Sequence, residues 1–223
     1  MSEDALPAWR RVTAGEPRWA AAIAMLAMIA LQVSLPDGLN LTSRYVLPTI
    51  EAVLLVVLVA ANPLRIDRIS TPLRALSLTL ITLASLANAY SAVRLVVDIV
   101  TGAHGVQAPA LLATGGAIYL TNIIVFGLWY WELDRGGPAA RSAGLAEYPD
   151  FLFPQMTAPG MADPHWEPRF ADYLYVSFTN ATAFSPTDTM PMTRWAKLAM
   201  SIQSVIALAT VAMVLARAIN ILN

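Results

Sequence analysis

The chain has no cysteine, so disulfide bridges and thiolate chemistry are excluded. Lysine is nearly absent: of 14 basic residues only Lys197 is a lysine, a bias that fits a GC-rich bacterial genome. The two histidines, His104 and His165, lie in separate loops without partners at metal-ligand spacing, so no metal site is expected. No Ser-His-Asp arrangement, phosphate loop or dinucleotide turn occurs, and neither an enzymatic activity nor a cofactor is expected. The net charge of −1 carries no sign of a nucleic-acid partner, and none is expected.

Charge of either sign is the scarcest commodity. Only 13% of the 223 residues are charged and 57% are hydrophobic, against about 25% charged in a soluble domain. The mean hydropathy is +0.57. Charge is missing altogether from 19–35, 52–64, 75–93, 109–131 and 198–216. Roughly 20 apolar residues in a helix cross ~30 Å of hydrocarbon. The pattern predicts an all-α integral membrane protein with five transmembrane helices, near 19–36, 45–62, 73–100, 110–132 and 194–220. Arg10, Arg11 and Arg18 precede the first apolar run as in a secretory signal. No small-x-small cleavage site follows, so the run is expected to stay as a helix.

Basic residues flanking spans favour the cytoplasm. With the N-terminus inside, Arg10, Arg11, Arg18, Arg65, Arg68, Arg74, Arg135, Arg141, Arg169, Arg194 and Lys197 are internal, and only Arg44 and Arg217 are external. A multi-pass protein of the cell (inner or plasma) membrane with a cytoplasmic N-terminus is therefore expected, with the 133–193 segment on the same side.

Short turn-rich loops at 36–44, 62–72 and 101–109 predict an antiparallel bundle. Residues 1–109 form a three-span unit and 110–223 a second one. Within the second, Pro138, Pro149, Pro154, Pro159, Pro164 and Pro168 predict an irregular loop over 133–168. Its Phe151, Phe153 and Trp166 are expected to anchor at the membrane interface. A short helix over 170–184, a polar turn over 185–191 and the last span complete the unit.

The order short helix, polar turn, long helix is joined to a specific string, YVSFTNATAFSPTDTMP at 175–191. It resembles the pore helix, filter and inner helix of tetrameric potassium-channel pores, which commonly read S-F-T-T-L-T-T-V-G-Y-G-D followed by Pro and then Thr or Ser. Ser177, Phe178, Thr179, Thr182 and Asp188 match without gaps, as do Pro191 and Thr193 beyond. The resemblance covers roughly 170–220 and makes the 110–132 span the outer helix. It implies a re-entrant pore-like helix before the last span. Ser185 and Thr187 stand where that family has its filter glycines, Pro186 replaces its Tyr, Phe184 its Val and Ala183 its first filter Thr. A filter that turns successive carbonyls inward needs backbone angles that glycine accepts and a β-branched residue resists. The resemblance thus implies a related pore with altered or lost selectivity. Its candidate lining is Thr179, Thr182, Ser185, Pro186, Thr187 and Asp188. It also implies a homo-oligomer, a tetramer if channel-like, with monovalent cations as permeants. No glycine follows Gly160, so gating by bending at a glycine hinge is not expected.

Gln203, Thr210 and Arg217 recur at sevens on one face of the last helix, either as a cavity-lining stripe or as interhelical hydrogen-bonders. Lys197, Ser201 and Ser204 form an offset stripe. Arg94 and Asp98 are positioned to pair at i,i+4, and Glu51 to meet Arg94 or Arg44 across the bundle. Gly115-Gly116, with Thr114 and Thr121, offers a small-residue face for close helix contact, and Asn122 is expected to hydrogen-bond inside. Three functions are consistent with these residues. The first is an ion channel or permeation protein. The second is a non-conducting structural or regulatory membrane protein. The third is a proton- or ion-coupled transporter working through Glu51, Arg94 and Asp98.

Overall fold

A computed structural model of the chain describes residues 6–102, 107–158, 160–182 and 188–222. It is mostly helical, at 72%. Among the described residues, three helices are long and apolar enough to cross a membrane: α3 (Thr71–Thr101), α4 (Ala108–Leu133) and α8 (Arg194–Leu222). They point to a membrane protein. Two more apolar helices, α1 (Trp19–Ser34) and α2 (Val46–Ala61), have 16 residues each. That is about 24 Å of rise, short of a ~30 Å hydrocarbon layer.

Local chemistry explains the helix ends. Leu35 is extended, as the residue before Pro36 must be, and stops α1. Proline in the first turn, where no N–H is needed, starts α3 at Pro72 and α4 at Pro109. Gly102, at φ 67°, turns α3 off with its N–H on the Asp98 carbonyl.

α4 is the centre of the bundle and packs on α1, α3, α7 (Phe170–Thr182) and α8. Gly115 lets α4 approach α8 closely: a Cβ there would sit 2.6 Å from Val214 Cγ2. Gly116 faces open space instead, so only half of the expected glycine pair makes the contact.

One end of the bundle gathers most of the arginines. Strand β1 (Glu16–Pro17) pairs antiparallel with β2 (Arg65–Ile66). Thr13 N–H donates to the Ser142 carbonyl at 2.9 Å. The N-terminal segment, the α2–α3 loop and the 134–150 segment therefore meet there, the grouping that the charge pattern anticipated.

The proline-rich stretch after α4 is more ordered than its sequence predicts. It holds two short helices, α5 (Pro138–Ser142) and α6 (Pro154–Thr157), with prolines at helix starts rather than as breakers. It also holds β3 (Phe151–Leu152), paired antiparallel with β4 (Met190–Pro191). Phe151 and Phe153 are buried, not interfacial. Phe151 packs on Tyr130 (centroids 5.0 Å), Trp195 (5.6 Å) and Tyr173 (6.3 Å). Phe153 packs on Tyr173 at 5.4 Å and on the half-buried Trp166 at 5.6 Å.

Candidate functional site

The 13 residues of α7, about 20 Å of helix, follow an unusual path. Phe170 starts at the arginine-rich end, edge-on to Trp131 at 5.8 Å. Ala181, near the other terminus, packs with Ile123 and Ala207, partway along α4 and α8. By Met190 the chain is back beside Leu152 at the end where it started. Two buried polar networks hold α7 in this position.

The first network grips its N-terminal half. Asp134 is fully buried and accepts from four donors. Its Oδ1 takes the N–H groups of Asp150 (2.9 Å) and Phe151 (3.4 Å), and its Oδ2 takes Tyr173 Oη (2.5 Å) and Arg135 Nε (3.4 Å). Arg135 sits at φ 51°, a left-handed conformation costly for a side-chain-bearing residue. Its N–H on Asp150 Oδ2 (2.8 Å) and its Nη1 on the Trp9 carbonyl (2.6 Å) hold it there. Asp150 also accepts from Trp195 Nε1 at 2.9 Å, joining the start of α8. Arg141 lies over the Tyr173 ring at 4.9 Å and donates to the Trp131 and Asp134 carbonyls at 2.5 and 3.0 Å.

Glu16 completes this network. One of its oxygens accepts from Trp131 Nε1 (2.7 Å) and the other from the Phe170 N–H (2.5 Å) that opens α7. Burial pushes the Glu16 carboxyl above its ordinary value of 4.5, against the pull of Arg141. A raised value in the folded state means that folding takes up a proton. The Glu16 contribution is thus complete below pH 4.5 and is lost as pH rises through the folded value. Glu16→Gln is expected to remove this loss, so that the variant gains on the wild type in Tm as pH is raised in steps above 4.5. A difference in Tm that stays constant across those steps would contradict it.

The second network grips the deeper half and centres on Gln203, fully buried on α8. Its Nε2 donates to the Ser177 carbonyl (2.9 Å) and to Ser177 Oγ (2.7 Å). Its Oε1 accepts from Tyr130 Oη (2.6 Å) and Asn180 Nδ2 (2.8 Å). Ser177 Oγ in turn donates to the Ile123 carbonyl at 2.6 Å. Asn180 donates to the Met200 carbonyl (2.9 Å) and its Oδ1 accepts from Ser204 Oγ (3.2 Å). Both the amide N–H groups and the amide oxygen of Gln203 are engaged, and the network joins α7 to α4 and α8.

These bonds locate the residues that the sequence singled out. Thr179 and Thr182 lie on α7, where their hydroxyls donate back to the carbonyls of Tyr175 (2.9 Å) and Thr179 (2.9 Å). Asp188 is exposed and accepts from Tyr175 Oη at 3.3 Å. Ser185, Pro186 and Thr187, the heart of the filter-like turn, lie outside the described residues. Gln203 and Thr210 share a face, as their spacing requires, but that face is turned into the bundle. Both are buried, and Thr210 Oγ1 donates to the Ile206 carbonyl at 2.8 Å. Of the two readings of the stripe, interhelical bonding fits Gln203. Arg217 lies one further heptad away, lining a cavity of about 170 Å³ with Asp98 and Thr114.

Arg94 and Asp98 pair at 3.5 Å, half-exposed. Glu51 meets neither Arg94 nor Arg44. It is fully buried, its Oε1 accepts from Gln32 Nε2 at 3.4 Å, and its Oε2 has no hydrogen-bond partner. Arg44 reaches back instead to the Val33 carbonyl at 2.8 Å. The three charges proposed for a relay are thus not brought together. Asn122 donates to the Gln203 carbonyl at 3.4 Å, while its Oδ1 is unpaired.

Sequence reasoning missed Glu16, Asp134, Arg135, Arg141 and Tyr173. Their partners lie up to 154 residues away, and no local spacing marks them. Comparisons of the chain with protein-family models, curated proteins and solved structures gave no match.

Proposed function

We propose that the chain is a multi-pass protein of the cell membrane with five crossing helices. In this reading the segment from α7 to β4 re-enters from the cytoplasmic face and returns to it. Several copies assemble so that α7 and α8 of each line a shared path for monovalent cations. With the filter glycines absent, discrimination among them is loose.

The observation that carries this reading is the path of α7, which stops partway along α4 and α8 before the chain regains the end it left. An open depression of about 480 Å³ beside it is lined by Asn180, Lys197, Ser201 and Ser204. Polar groups on the outside of a bilayer-embedded bundle need a neighbouring subunit or water against them. A tetramer with this face inward supplies both.

A second reading, a non-conducting structural or regulatory membrane protein, is favoured by a different observation. The hydroxyls of Thr179, Thr182 and Ser201 are already satisfied by their own helices, so this face can tolerate a dry neighbour.

Flux separates the two. The purified chain in liposomes is expected to pass monovalent cations. Asp188→Asn, which removes one carboxylate per subunit, is expected to lower the cation-to-anion preference about tenfold. Ser201→Cys in this cysteine-free chain should crosslink to oligomers. Crosslinking without flux supports the structural reading, and absence of both ends the shared-axis picture.

A further inference from the structure

The arginine-rich end of the bundle contains a cavity of about 260 Å³ that shares Trp131 with the first network. Arg18, Arg68 and Arg74 line it, together with Glu132 and the start of α3 at Ser70 and Thr71. Arg18 is only 9% exposed, and its Nε has no hydrogen-bond partner. Glu132 attracts it electrostatically, but the Glu132 Oε2 is engaged by Ser77 Oγ at 3.1 Å. A buried guanidinium nitrogen without an acceptor is costly, and an anion is what it lacks. Three arginines against one carboxylate leave the cavity positive. The N-terminal end of the 31-residue α3, whose Ser70 makes no side-chain cap, adds a positive dipole end.

We propose that this cavity binds the phosphate of an anionic phospholipid headgroup. A phosphodiester places acceptor oxygens between Arg18 and the exposed Arg68 and Arg74, which bind it as charge-assisted donors. The rim favours lipid over a soluble phosphate. Ile69 and Leu145 line the cavity yet are 61% and 67% exposed. Exposed aliphatic side chains beside arginines at a bundle end suit the glycerol and upper acyl region of a bilayer. The assignment requires this end to lie at a membrane interface; it does not require the protein to conduct.

The test is native mass spectrometry of the full chain released from mixed phosphatidylcholine–phosphatidylglycerol micelles. The wild type should retain phosphatidylglycerol selectively. Arg74→Gln should weaken that retention about fivefold, and Arg18→Gln about tenfold. Arg194→Gln, an exposed arginine outside the cavity, should retain lipid as the wild type does. Because Arg74 is exposed, its variant keeps the test decisive even if Arg18→Gln fails to fold. Equal retention of both lipids, wild-type retention by Arg74→Gln, or an equal loss in Arg194→Gln would each overturn the site. If inorganic phosphate alone displaces the lipid and raises Tm as much, the lipid assignment falls in favour of a soluble anion. None of these readouts depends on ion flux, so the site and the permeation reading fail separately.

Discussion

Gln203→Leu is expected to destabilise the protein by about 3 kcal/mol and to loosen α7 while leaving α3 and α4 intact. The substituted side chain has similar bulk, so packing is largely kept. What disappears is the amide that accepts from Tyr130 and Asn180 and donates twice to Ser177. Tyr130 is fully buried, and the Gln203 amide oxygen is the acceptor its hydroxyl uses. Each buried polar group left unpaired costs about 1–3 kcal/mol, so the loss exceeds that of a single hydrogen bond. Asn180 retains the Met200 carbonyl and Ser177 retains the Ile123 carbonyl, which limits the damage. Two measurements check this: Tm in detergent, and amide hydrogen exchange across α7. Ser204→Ala, at the margin of the same network with a bond of 3.2 Å, should cost under about 1 kcal/mol. If both variants behave alike, Gln203 is not the pin that holds α7.

Asp134→Ala is expected to be more damaging, at about 3–5 kcal/mol, and to lower the yield of folded protein. Asp134 is the acceptor at which the end of α4, the 150–151 backbone and Tyr173 of α7 converge. Its removal leaves the guanidinium of Arg135, itself buried, with the Trp9 carbonyl and the Trp9 ring at 5.4 Å among the described residues. It also strands the Tyr173 hydroxyl in an aromatic cluster that offers no other acceptor among the described residues. A buried charge that loses its partner costs far more than the pair contributed. Asp134→Asn keeps one acceptor for the Asp150 and Phe151 N–H groups but turns an NH2 toward Arg135, and it should fall between wild type and alanine. Chemical unfolding in mixed micelles measures the series. A cost below about 1 kcal/mol for Asp134→Ala would mean that water reaches this site.

Both predictions concern residues at opposite ends of legibility. Gln203 was visible as a polar residue on a heptad face of an apolar helix. Its direction was not, because a stripe on a spanning helix faces either a pore or a neighbour, and only the position of Ser177 and Asn180 decides which. Asp134 was invisible. It sits among the prolines and charges after α4, where composition predicts solvent, and its partners come from 150, 151 and 173. The same holds for Phe151 and Phe153. Their chemistry suits an interface as well as a core, and the rings that bury them, Tyr130, Tyr173 and Trp195, come from distant helices.

The sequence alone determined that the chain is built of apolar helices and roughly where they begin and end. Those properties follow from runs of uncharged residues and from local backbone chemistry at proline and glycine. The tertiary structure decided that α1 and α2 stop short of the spans expected at 19–36 and 45–62. It also decided that Glu51 faces Gln32 rather than an arginine, and that a set of distant charges clamps the start of α7. A buried hydrogen bond depends on where two chain segments meet in space, and spacing along one segment carries no record of the other.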